Sequence, residues 1–559
     1  MRNTKRVLPL VLAIVMCLLT LASCGNGGNG NTAPSSSPQQ SQQPSQPSAQ
    51  PSAQPSPSAP ASTGPIVAPS EPPPPDAVYA EEITVGLSNT RINVLDVANP
   101  AGTGDSTGMA FNAFLNTLYD EDQSNAGVYL PSLATSYETT DSQHVTFHLR
   151  EDVYFHNGAK FTADDVAFTI DRAKENPGTN ANDRYGKIES YDIVNDYTIT
   201  FHYAKVNPEF LSEMSWCPCG ILSRKAFDDD PDEGYLIGTG PWVVQEFSSG
   251  DFVRFTRNDN YWGELPKTKV LTFKYIAEEA SRLTMLENGE TQVTIGLNPN
   301  DYPYVESNTN KFDTYTFTVH GSSYIGFNMT DPLMSDHNFR MAVASAIIRE
   351  DMILAGRNGY AQQPSSGAFW GWGTAFKNND IPFVPYDLDA ARDYLSKTSY
   401  NGETIMLMGA IPDHIKMCEV IQQQLQMIGL NVEIDQTDTV GLAAAVKWGS
   451  NTTQMICHTG NWLPEASVVR TYYTPGAQYN RVSYTNEEIL ELISQADVTA
   501  DPKEREALYR KIQEVAAEDM PFIGLCHLSF VVATLKGVGG LFLSESSMHD
   551  MSYVYQVIG

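Results

Sequence analysis

A loop rich in aromatic residues and glycine offers the clearest candidate binding chemistry in the sequence. The stretch "GAFWGWGTAF" spans residues 367–376 and sets four rings among small residues: Phe369, Trp370, Trp372 and Phe376. Aromatic rings supply large and rigid contact surfaces, so such a loop is typical of a cleft that holds a small molecule. The same rings could instead pack the loop onto its own domain, and the sequence leaves both interpretations open.

The other candidate groups favour binding over catalysis. The sequence has neither the H-E-x-x-H pattern of a zinc protease nor the G-x-x-x-x-G-K-[ST] phosphate loop. Cys457 and His458 are neighbours, and neighbours on a strand point to opposite faces, so the pair is a poor metal site. The C-x-C stretch at 217–219 is shorter than a zinc C-x-x-C. We expect no enzyme activity, metal or cofactor; a surface hydrolase with paired carboxylates is the alternative.

The N-terminus is typical of an export signal that ends at a lipidated cysteine. Arg2, Lys5 and Arg6 precede an apolar run at residues 7–19, which is too short to span a bilayer comfortably. The letters "LASC" end at Cys24 and resemble the lipobox of bacterial lipoproteins. This resemblance implies cleavage after residue 23 and a lipid on the Cys24 thiol. An ordinary secretory signal with a chance cysteine is the alternative.

Residues 24–80 have the composition of a disordered tether. They are rich in Pro, Ser, Gln and Ala and contain almost no charge. Such a segment cannot bury enough apolar surface to offset the entropy of ordering. Its prolines keep it extended, so it could hold a folded body on the order of 100 Å from a membrane. We therefore predict a signal peptide at 1–23 and a tether at 24–80.

The body beyond residue 80 is long enough for two or three domains and is strongly acidic. The formal net charge of the whole chain is −31, and removal of the three positive charges in residues 1–23 makes it −34. Nucleic acid as a partner is disfavoured, because it requires a basic face. Beyond the N-terminal signal, no apolar run approaches the length that spans a membrane.

Strand and helix patterns alternate along the first half of the body. Three stretches of alternating or β-branched residues predict strands: "EEITVGL" (81–87), "HVTFHLR" (144–150) and "YTITFHY" (197–203). The stretch "FTADDVAFTIDRAKE" predicts a helix. Thr162 would cap it, and Asp165 would complete a capping box.

The second half predicts a parallel sheet. "ETIMLM" (403–408) and "LNVEIDQ" flank a helical pattern that Asp413 would cap and Gly429 would end. Cys418 falls on the apolar stripe of that helix, so we expect it in the core. Strand, helix and strand over this length form a βαβ unit with parallel pairing. Asp501 would cap a later helix that starts at Pro502, and "HLSFVVATL" returns to strand.

Five stretches in order resemble the extracellular solute-binding proteins of ABC importers, in the oligopeptide, dipeptide and nickel class. They run from about residue 83 to 526 and read "LPSLATSYETTDSQHVTFHLREDVYFHNGAKFTADDVAFTIDRA", "YLIGTGPWVVQEFSSGDFVRFTRNDNYWGELPK", "YIGFNMTDPLMSDHNFRMAVASAIIREDMI", "IQQQLQMIGLNVEI" and "DPKEREALYRKIQEVAAEDMPFIGL". The resemblance covers nearly the whole body.

The resemblance implies an α/β fold of two lobes joined by a hinge, of the periplasmic-binding-protein class II type with an extra subdomain. We expect the first lobe at 81–319 plus 525–559, its extra subdomain at about 111–235, and the second lobe at 320–524. It also implies a monomer on the outer face of the cell membrane, anchored through Cys24, that delivers a solute to ABC permease subunits. A sensor or pheromone receptor with the same fold is an alternative.

The resemblance also implies where a ligand would bind. Family members that bind peptides hold the ligand's ammonium with an acidic residue, and aligning Thr459 and Gly460 with that pattern places the neutral Asn461 there. Glu465 could replace the missing charge. We expect a short peptide, with a sugar or a metal chelate as alternatives. The remaining candidates are flanking or crossover residues: Asn89, Tyr324, Asn328, His458 and Trp462.

Overall fold

The computed structural model describes residues 76–88, 90–102, 104–122 and 127–558. One large mixed sheet runs through the described chain, with helices packed against it and smaller antiparallel sheets beside it. The strands are β1 (Glu82–Leu87), β2 (Tyr119–Glu121), β3 (Tyr129–Pro131), β4 (Ala134–Thr139), β5 (His144–Leu149), β6 (Ile188–Asn195), β7 (Thr198–Tyr203), β8 (Trp242–Ser248), β9 (Phe252–Arg257), β10 (Val270–Tyr275), β11 (Val293–Thr294), β12 (Phe312–Phe327), β13 (Ala361–Gln362), β14 (Thr404–Gly409), β15 (Asn431–Gln436), β16 (Met455–Gly460), β17 (Phe522–Leu535), β18 (Val538–Gly539) and β19 (Tyr555–Gln556).

The helices alternate with these strands along most of the chain. They are α1 (Asp105–Phe114), α2 (Ala163–Glu175), α3 (Asn180–Tyr185), α4 (Phe210–Ser215), α5 (Arg224–Asp229), α6 (Glu279–Asn288), α7 (Tyr302–Ser307), α8 (His337–Ala346), α9 (Arg349–Arg357), α10 (Leu388–Leu395), α11 (Pro412–Gln426), α12 (Thr439–Ala445), α13 (Arg470–Tyr473), α14 (Glu487–Ala496) and α15 (Pro502–Asp519). No helix in the described ranges is long and apolar enough to cross a bilayer.

Several hydrophobic clusters pack against the large sheet and divide it into two parts. Its strands are ordered β15-β14-β16-β12-β17-β11-β1-β10-β9-β8, and β13 also pairs with β17. One core takes its buried residues from 83–319 and 532–554. The other side of the molecule is built on clusters whose residues lie within 324–526. We call the part on the first core the first lobe and the part on the second clusters the second lobe.

Two long antiparallel strands cross between the lobes. Strand β12 contributes Phe317 to the first core and Ile325 to the second, and β17 likewise contributes Val532 and Leu525. The pairing of the two strands shifts register between Thr318 and Ser322, in the stretch where they pass from one core to the other. A register shift bends a strand locally, so this position is suited to a hinge. The lobe boundaries proposed from the sequence remain predictions.

The predicted elements of the first lobe form where the sequence patterns placed them. Strands β1, β5 and β7 match the three predicted strands within two residues, and α2 begins after Thr162. The side chains of Thr162 and Asp165 form the predicted capping box. Strands β4, β5, β7 and β6 make a separate antiparallel sheet within the range predicted for the extra subdomain.

The βαβ unit of the second lobe also forms, with one correction. Strands β14 and β15 pair in parallel on either side of α11, and Cys418 is fully buried. However, Asp413 does not cap this helix: Ile411 is the N-cap, and Pro412 takes the first helical position because its fixed φ suits that place. The Asp413 carboxylate instead accepts a hydrogen bond from the Arg357 guanidinium at 2.5 Å.

The predicted tether reaches slightly too far along the chain. Tyr79 forms a bridge with Val557, and the Ala80 N–H donates to the Gln556 carbonyl at 2.9 Å. These two residues therefore belong to the folded body, because the C-terminal segment offers them backbone partners. The predicted signal peptide, Cys24 and the tether up to residue 75 lie outside the described residues.

Candidate functional site

The lobes meet beside the hinge through side chains from loops and short helices. Ser212 on α4 donates a short hydrogen bond to the Glu465 carboxylate of the second lobe. The Ser467 hydroxyl of the second lobe donates to Glu209 at 2.5 Å. The Trp372 indole N–H donates to the Glu545 carboxylate at 3.2 Å. These contacts define an interlobe cleft whose walls come from both halves of the chain.

Carboxylates from both lobes face each other in this cleft. The pKa of Glu121 is raised to about 6, mainly by burial and to a smaller extent by the nearby charges of Glu465 and Glu545. Burial also raises the pKa of Glu209, and Glu465 is the next cause. We call these four residues the cleft carboxylates. Because they repel each other in a low-dielectric setting, a positively charged group placed between them would be strongly favoured.

A cavity of about 220 Å³ adjoins the cleft carboxylates in the first lobe. Asp120 and Glu121 line this cavity, and both side chains are exposed to the solvent that fills it. Burial raises the pKa of Asp120 to about 6, and Asp550 raises it to a smaller extent. The cavity wall also carries Tyr261 and Asn116, whose amide N–H donates to the Tyr261 hydroxyl at 3.4 Å. Its size and polarity suit a polar side chain of a ligand.

His458 and Thr459 lie near the end of β16, where other side chains hold them. The Arg481 guanidinium donates a short hydrogen bond to the His458 ring. Burial lowers the pKa of His458 to about 2, with Arg481 as the next cause, so the ring is a neutral acceptor. The Thr459 hydroxyl contacts His414 at 3.0 Å and Ser323 at 3.2 Å. These bonds hold the end of β16 in place, and both residues are half-buried.

After β16, Asn461 lies at the surface and Glu465 lies at the cleft. The Asn461 side chain is exposed and lies 3.4 Å from the Tyr479 hydroxyl, while its carbonyl accepts from Tyr472 at 2.8 Å. Gly460 sits against Tyr472, because an added Cβ would lie 2.5 Å from that hydroxyl. Of the predicted anchors, Glu465 therefore reaches the opposite lobe.

Most of the aromatic residues proposed from the sequence as ligand contacts pack inside the second lobe. Four of the rings are buried against one another within the second lobe: Tyr324, Phe369, Trp370 and Trp462. Their role in ligand binding stays a prediction. The aromatic loop therefore follows the packing interpretation for these residues. Its exception is Trp372, which extends to the first lobe through Glu545.

Of the two other predicted asparagines, Asn328 is described by the structure and Asn89 is not. Asn328 is buried, donates to the Thr453 carbonyl at 3.1 Å and accepts from Thr330 at 2.7 Å. Its side chain is held inside the second lobe by these hydrogen bonds, and its predicted contact with a ligand stays a prediction. Asn89 lies outside the described residues, so its predicted role stays a prediction.

Sequence reasoning missed the partners that complete the cleft. Glu121, the neighbouring pair Glu209 and Ser212, and Glu545 come from three distant parts of the chain and belong to no recognisable motif. Only the fold brings them next to Glu465.

A sequence match to a catalytic motif has no matching geometry. Residues 104–108 read G-D-S-T-G, which fits the G-x-S-x-G pattern of serine hydrolases. In such enzymes the serine stands exposed on a sharp turn between strand and helix. Here Ser106 is 1 % exposed within the first turn of α1, and a loop rather than a strand precedes it. Within the described residues, no three His, Cys, Asp or Glu groups are placed to hold a metal ion.

Comparison with known proteins agrees with this architecture. Residues 128–480 match the model of the bacterial extracellular solute-binding proteins, family 5. The dipeptide-binding protein of Escherichia coli K12 is 25 % identical over 473 residues, which cover 76 % of this chain and 86 % of the relative. The glutathione-binding protein GsiB of Salmonella paratyphi A is 25 % identical over 489 residues, covering 84 % and 93 %.

Solved structures share the fold at lower identity. The substrate-binding protein CtaP of Listeria monocytogenes aligns with a TM-score of 0.76 at 22 % identity, covering 86 % of this chain and all of that one. DppA of Helicobacter pylori, solved with the peptide STSA, aligns with a TM-score of 0.69 at 23 % identity, covering 85 % and 98 %. With the family model covering more than half of the sequence, this chain belongs to the bacterial extracellular solute-binding proteins, family 5.

Proposed function

We propose that this protein captures a short peptide in the interlobe cleft and delivers it to the permease of an ABC importer. The observation that carries the proposal is the set of cleft carboxylates, which come from both lobes and face one another. A ligand ammonium would remove their mutual repulsion, so it would bind the closed form more tightly than the open one. Relatives named for dipeptide and glutathione binding support the same class of solute.

Within this proposal, Glu465 holds the ligand ammonium in place of the aspartate that the sequence lacks at Asn461. Glu465 already bonds to Ser212 across the cleft, and Glu121 and Glu545 act from the first lobe. Charge-assisted hydrogen bonds of an ammonium to these oxygens would link the two lobes directly. A sugar is less well served, because the rings that could stack on it are packed in the second lobe.

Native mass spectrometry of the chain isolated from cells would identify the solute that co-purifies. Titration calorimetry would then compare trialanine with N-acetyl-trialanine on the ligand-free protein. We expect trialanine to bind and the acetylated form to bind at least tenfold more weakly, since it has no ammonium. A co-purifying sugar or metal chelate, with no binding of trialanine, would overturn the peptide proposal.

The variant Glu465→Gln tests the anchor itself. We expect it to weaken trialanine about tenfold or more and to change binding of N-acetyl-trialanine by less than twofold. The control Glu433→Gln removes an exposed carboxylate of β15 and should leave both affinities unchanged. Equal weakening of both probes by Glu465→Gln would show that the residue shapes the cleft without holding an ammonium.

We also propose that a lipid on Cys24 anchors the protein to the outer face of the cell membrane as a monomer. The support is the order of charges, apolar run and "LASC" at the N-terminus. Replacement of Cys24 by Ser should abolish incorporation of a labelled fatty acid and release the protein into the medium. Permease and ATPase genes beside its own gene would favour transport over a sensor role.

A further inference from the structure

One face of the four-stranded sheet β4-β5-β7-β6 carries a pair of histidines. Side chains alternate along β5 and β7, so Phe147 and Phe201 pack in the first core while His144 and His202 lie on the opposite face. His144 stands directly opposite His202 in the register of these antiparallel strands. Their ring centroids are 5.2 Å apart, and their side chains are 54 % and 26 % exposed. The sheet therefore holds two imidazoles side by side at the protein surface.

A carboxylate fixes the orientation of each of these rings. Nδ1 of His144 lies 2.9 Å from the Asp141 carboxylate, and Nε2 of His202 lies 2.9 Å from the Asp192 carboxylate on β6. The hydrogen bond from the His144 ring is the largest cause that lowers the pKa of Asp141 to about 2. An ionised carboxylate can only accept a hydrogen bond, so the bonded nitrogen of each ring carries the proton.

This arrangement leaves the second nitrogen of each ring to act as a ligand. Nε2 of His144 and Nδ1 of His202 make no hydrogen bond to any residue that the structure describes. A neutral imidazole offers the lone pair of its unprotonated nitrogen to a metal ion, and metal-binding histidines commonly donate their other N–H to a carboxylate. Two imidazoles on one ion have ring centroids about 5 Å apart, because each metal–nitrogen bond is about 2 Å long. The observed 5.2 Å meets this requirement.

We propose that His144 and His202 together bind a divalent transition-metal ion, Cu²⁺ or Zn²⁺, on the outer face of this sheet. Imidazole suits both ions, and Cu²⁺ should bind more tightly because it stands above Zn²⁺ in the order of divalent affinities. In the part of the chain that the structure describes, no third His, Cys, Asp or Glu is placed to complete a cluster, so water supplies the remaining ligands. The ion would link β5 to β7 and stabilise the folded chain. The two histidines take no part in the contacts between the lobes, so this site is independent of the proposed function.

Titration calorimetry with CuCl₂ and with ZnCl₂ tests the site on the full chain, freed of metal with EDTA and without a histidine tag. We expect His144→Ala and His202→Ala each to weaken binding of both ions about tenfold or more. His148→Ala is the matched control, because His148 lies on the same face of β5 but stands opposite Thr198. It should leave both affinities within twofold. Equal weakening by all three variants, or no weakening by any, would overturn the inference.

Electron paramagnetic resonance of the Cu²⁺ complex identifies the ligands directly. Two imidazole nitrogens should couple to the copper electron spin in the native chain, and one should couple in either single variant. Mg²⁺ prefers oxygen ligands, so an excess of MgCl₂ should not displace Cu²⁺ from two imidazoles. Displacement by Mg²⁺, or the same nitrogen coupling in the native chain and in His202→Ala, would show that the surface carboxylates hold the ion and would overturn the inference. Neither measurement uses a peptide, so a failure here leaves the proposed function untouched.

Discussion

At the scale of single residues, the cleft carboxylates determine how the protein responds to pH. A carboxyl whose pKa is raised on folding binds its proton more tightly in the folded state than in the unfolded chain. It therefore destabilises the folded state when ionised, and the stability recovers as the pH falls through the raised pKa. For Glu121 the window runs from about pH 6 down to its ordinary pKa of 4.5.

We expect Glu121→Gln to raise the melting temperature of the ligand-free protein at pH 7.5 by about 1–2 °C, because it removes an enclosed charge. The gain should shrink towards zero at pH 4.5, where the native carboxyl is also neutral. Thermal scans from pH 4.5 to 8 would show this. Glu433→Gln, on exposed β15, serves as the control and should give no pH-dependent difference. A gain that persists unchanged at pH 4.5 would point to packing rather than charge.

Gly460 must be a glycine because the Tyr472 ring lies directly against it. A side chain at this position would meet the Tyr472 hydroxyl at 2.5 Å, and that ring is stacked on Trp462. We expect Gly460→Ala to lower the free energy of unfolding by about 1–3 kcal/mol, as overpacking does. Urea unfolding would measure the loss. The double variant with Tyr472→Phe should recover part of it, since the clashing oxygen is gone, and no recovery would contradict this account.

At the scale of elements, capping groups decide where the long helices begin. The Asp501 carboxylate accepts from the backbone N–H groups of Lys503 and Glu504, both at 2.9 Å, at the start of α15. These donors have no partner within the helix itself. Helix α15 packs in the second lobe through residues such as Tyr509 and Ile512. Fraying at its start would therefore weaken the packing of the cluster that also contains Trp370 and Trp462.

Asp501→Ala should cost about 1 kcal/mol of local stability, the usual effect of losing an N-cap. Amides in the first turns of α15 should then exchange with deuterium about fivefold faster, as measured by mass spectrometry of peptides from this helix. Asp501→Asn keeps an oxygen acceptor and should exchange nearly at the native rate. If both variants exchanged alike, charge at the helix start would matter more than the hydrogen bonds.

At the scale of the whole molecule, two lobes on one sheet make lobe closure sensitive to charge. The strands that join the lobes are continuous, and the hydrogen bonds that Ser212 and Ser467 make across the cleft come from short helices and a loop. Without a ligand, the cleft carboxylates repel one another at neutral pH and oppose closure. A ligand cation or protonation would each remove that repulsion, and both would shift the population towards the closed form.

Small-angle scattering should therefore report a smaller radius of gyration for the ligand-free protein at pH 5 than at pH 7.5. The pKa values of Glu121 and Glu209 are raised, so these carboxyls take up protons first as the pH falls, while the hinge histidine His527 stays neutral throughout. A Glu121→Gln, Glu465→Gln double variant should already be compact at pH 7.5 and change little with pH. An unchanged radius for the native chain at both pH values would contradict this mechanism.

The local patterns of the sequence were sufficient for the elements and for the family. Alternation and capping residues placed β1, β5, β7, α2 and the βαβ unit, because these depend on neighbours within a few positions along the chain. The one misplaced cap, Asp413, failed because an adjacent proline competed for the same helix start and a distant arginine, Arg357, took the carboxylate.

The site was only partly predictable, because its chemistry is assembled from distant segments. The sequence alone determined the acidic charge and the resemblance to two-lobed solute-binding proteins, predicted an export signal, and singled out Glu465 as a candidate anchor. The tertiary structure decided that Glu465 faces Ser212 and Glu121 and that most of the aromatic candidates are buried. Burial and electrostatic interactions depend on what surrounds a group in three dimensions, and periodicity along the chain carries no record of those distances.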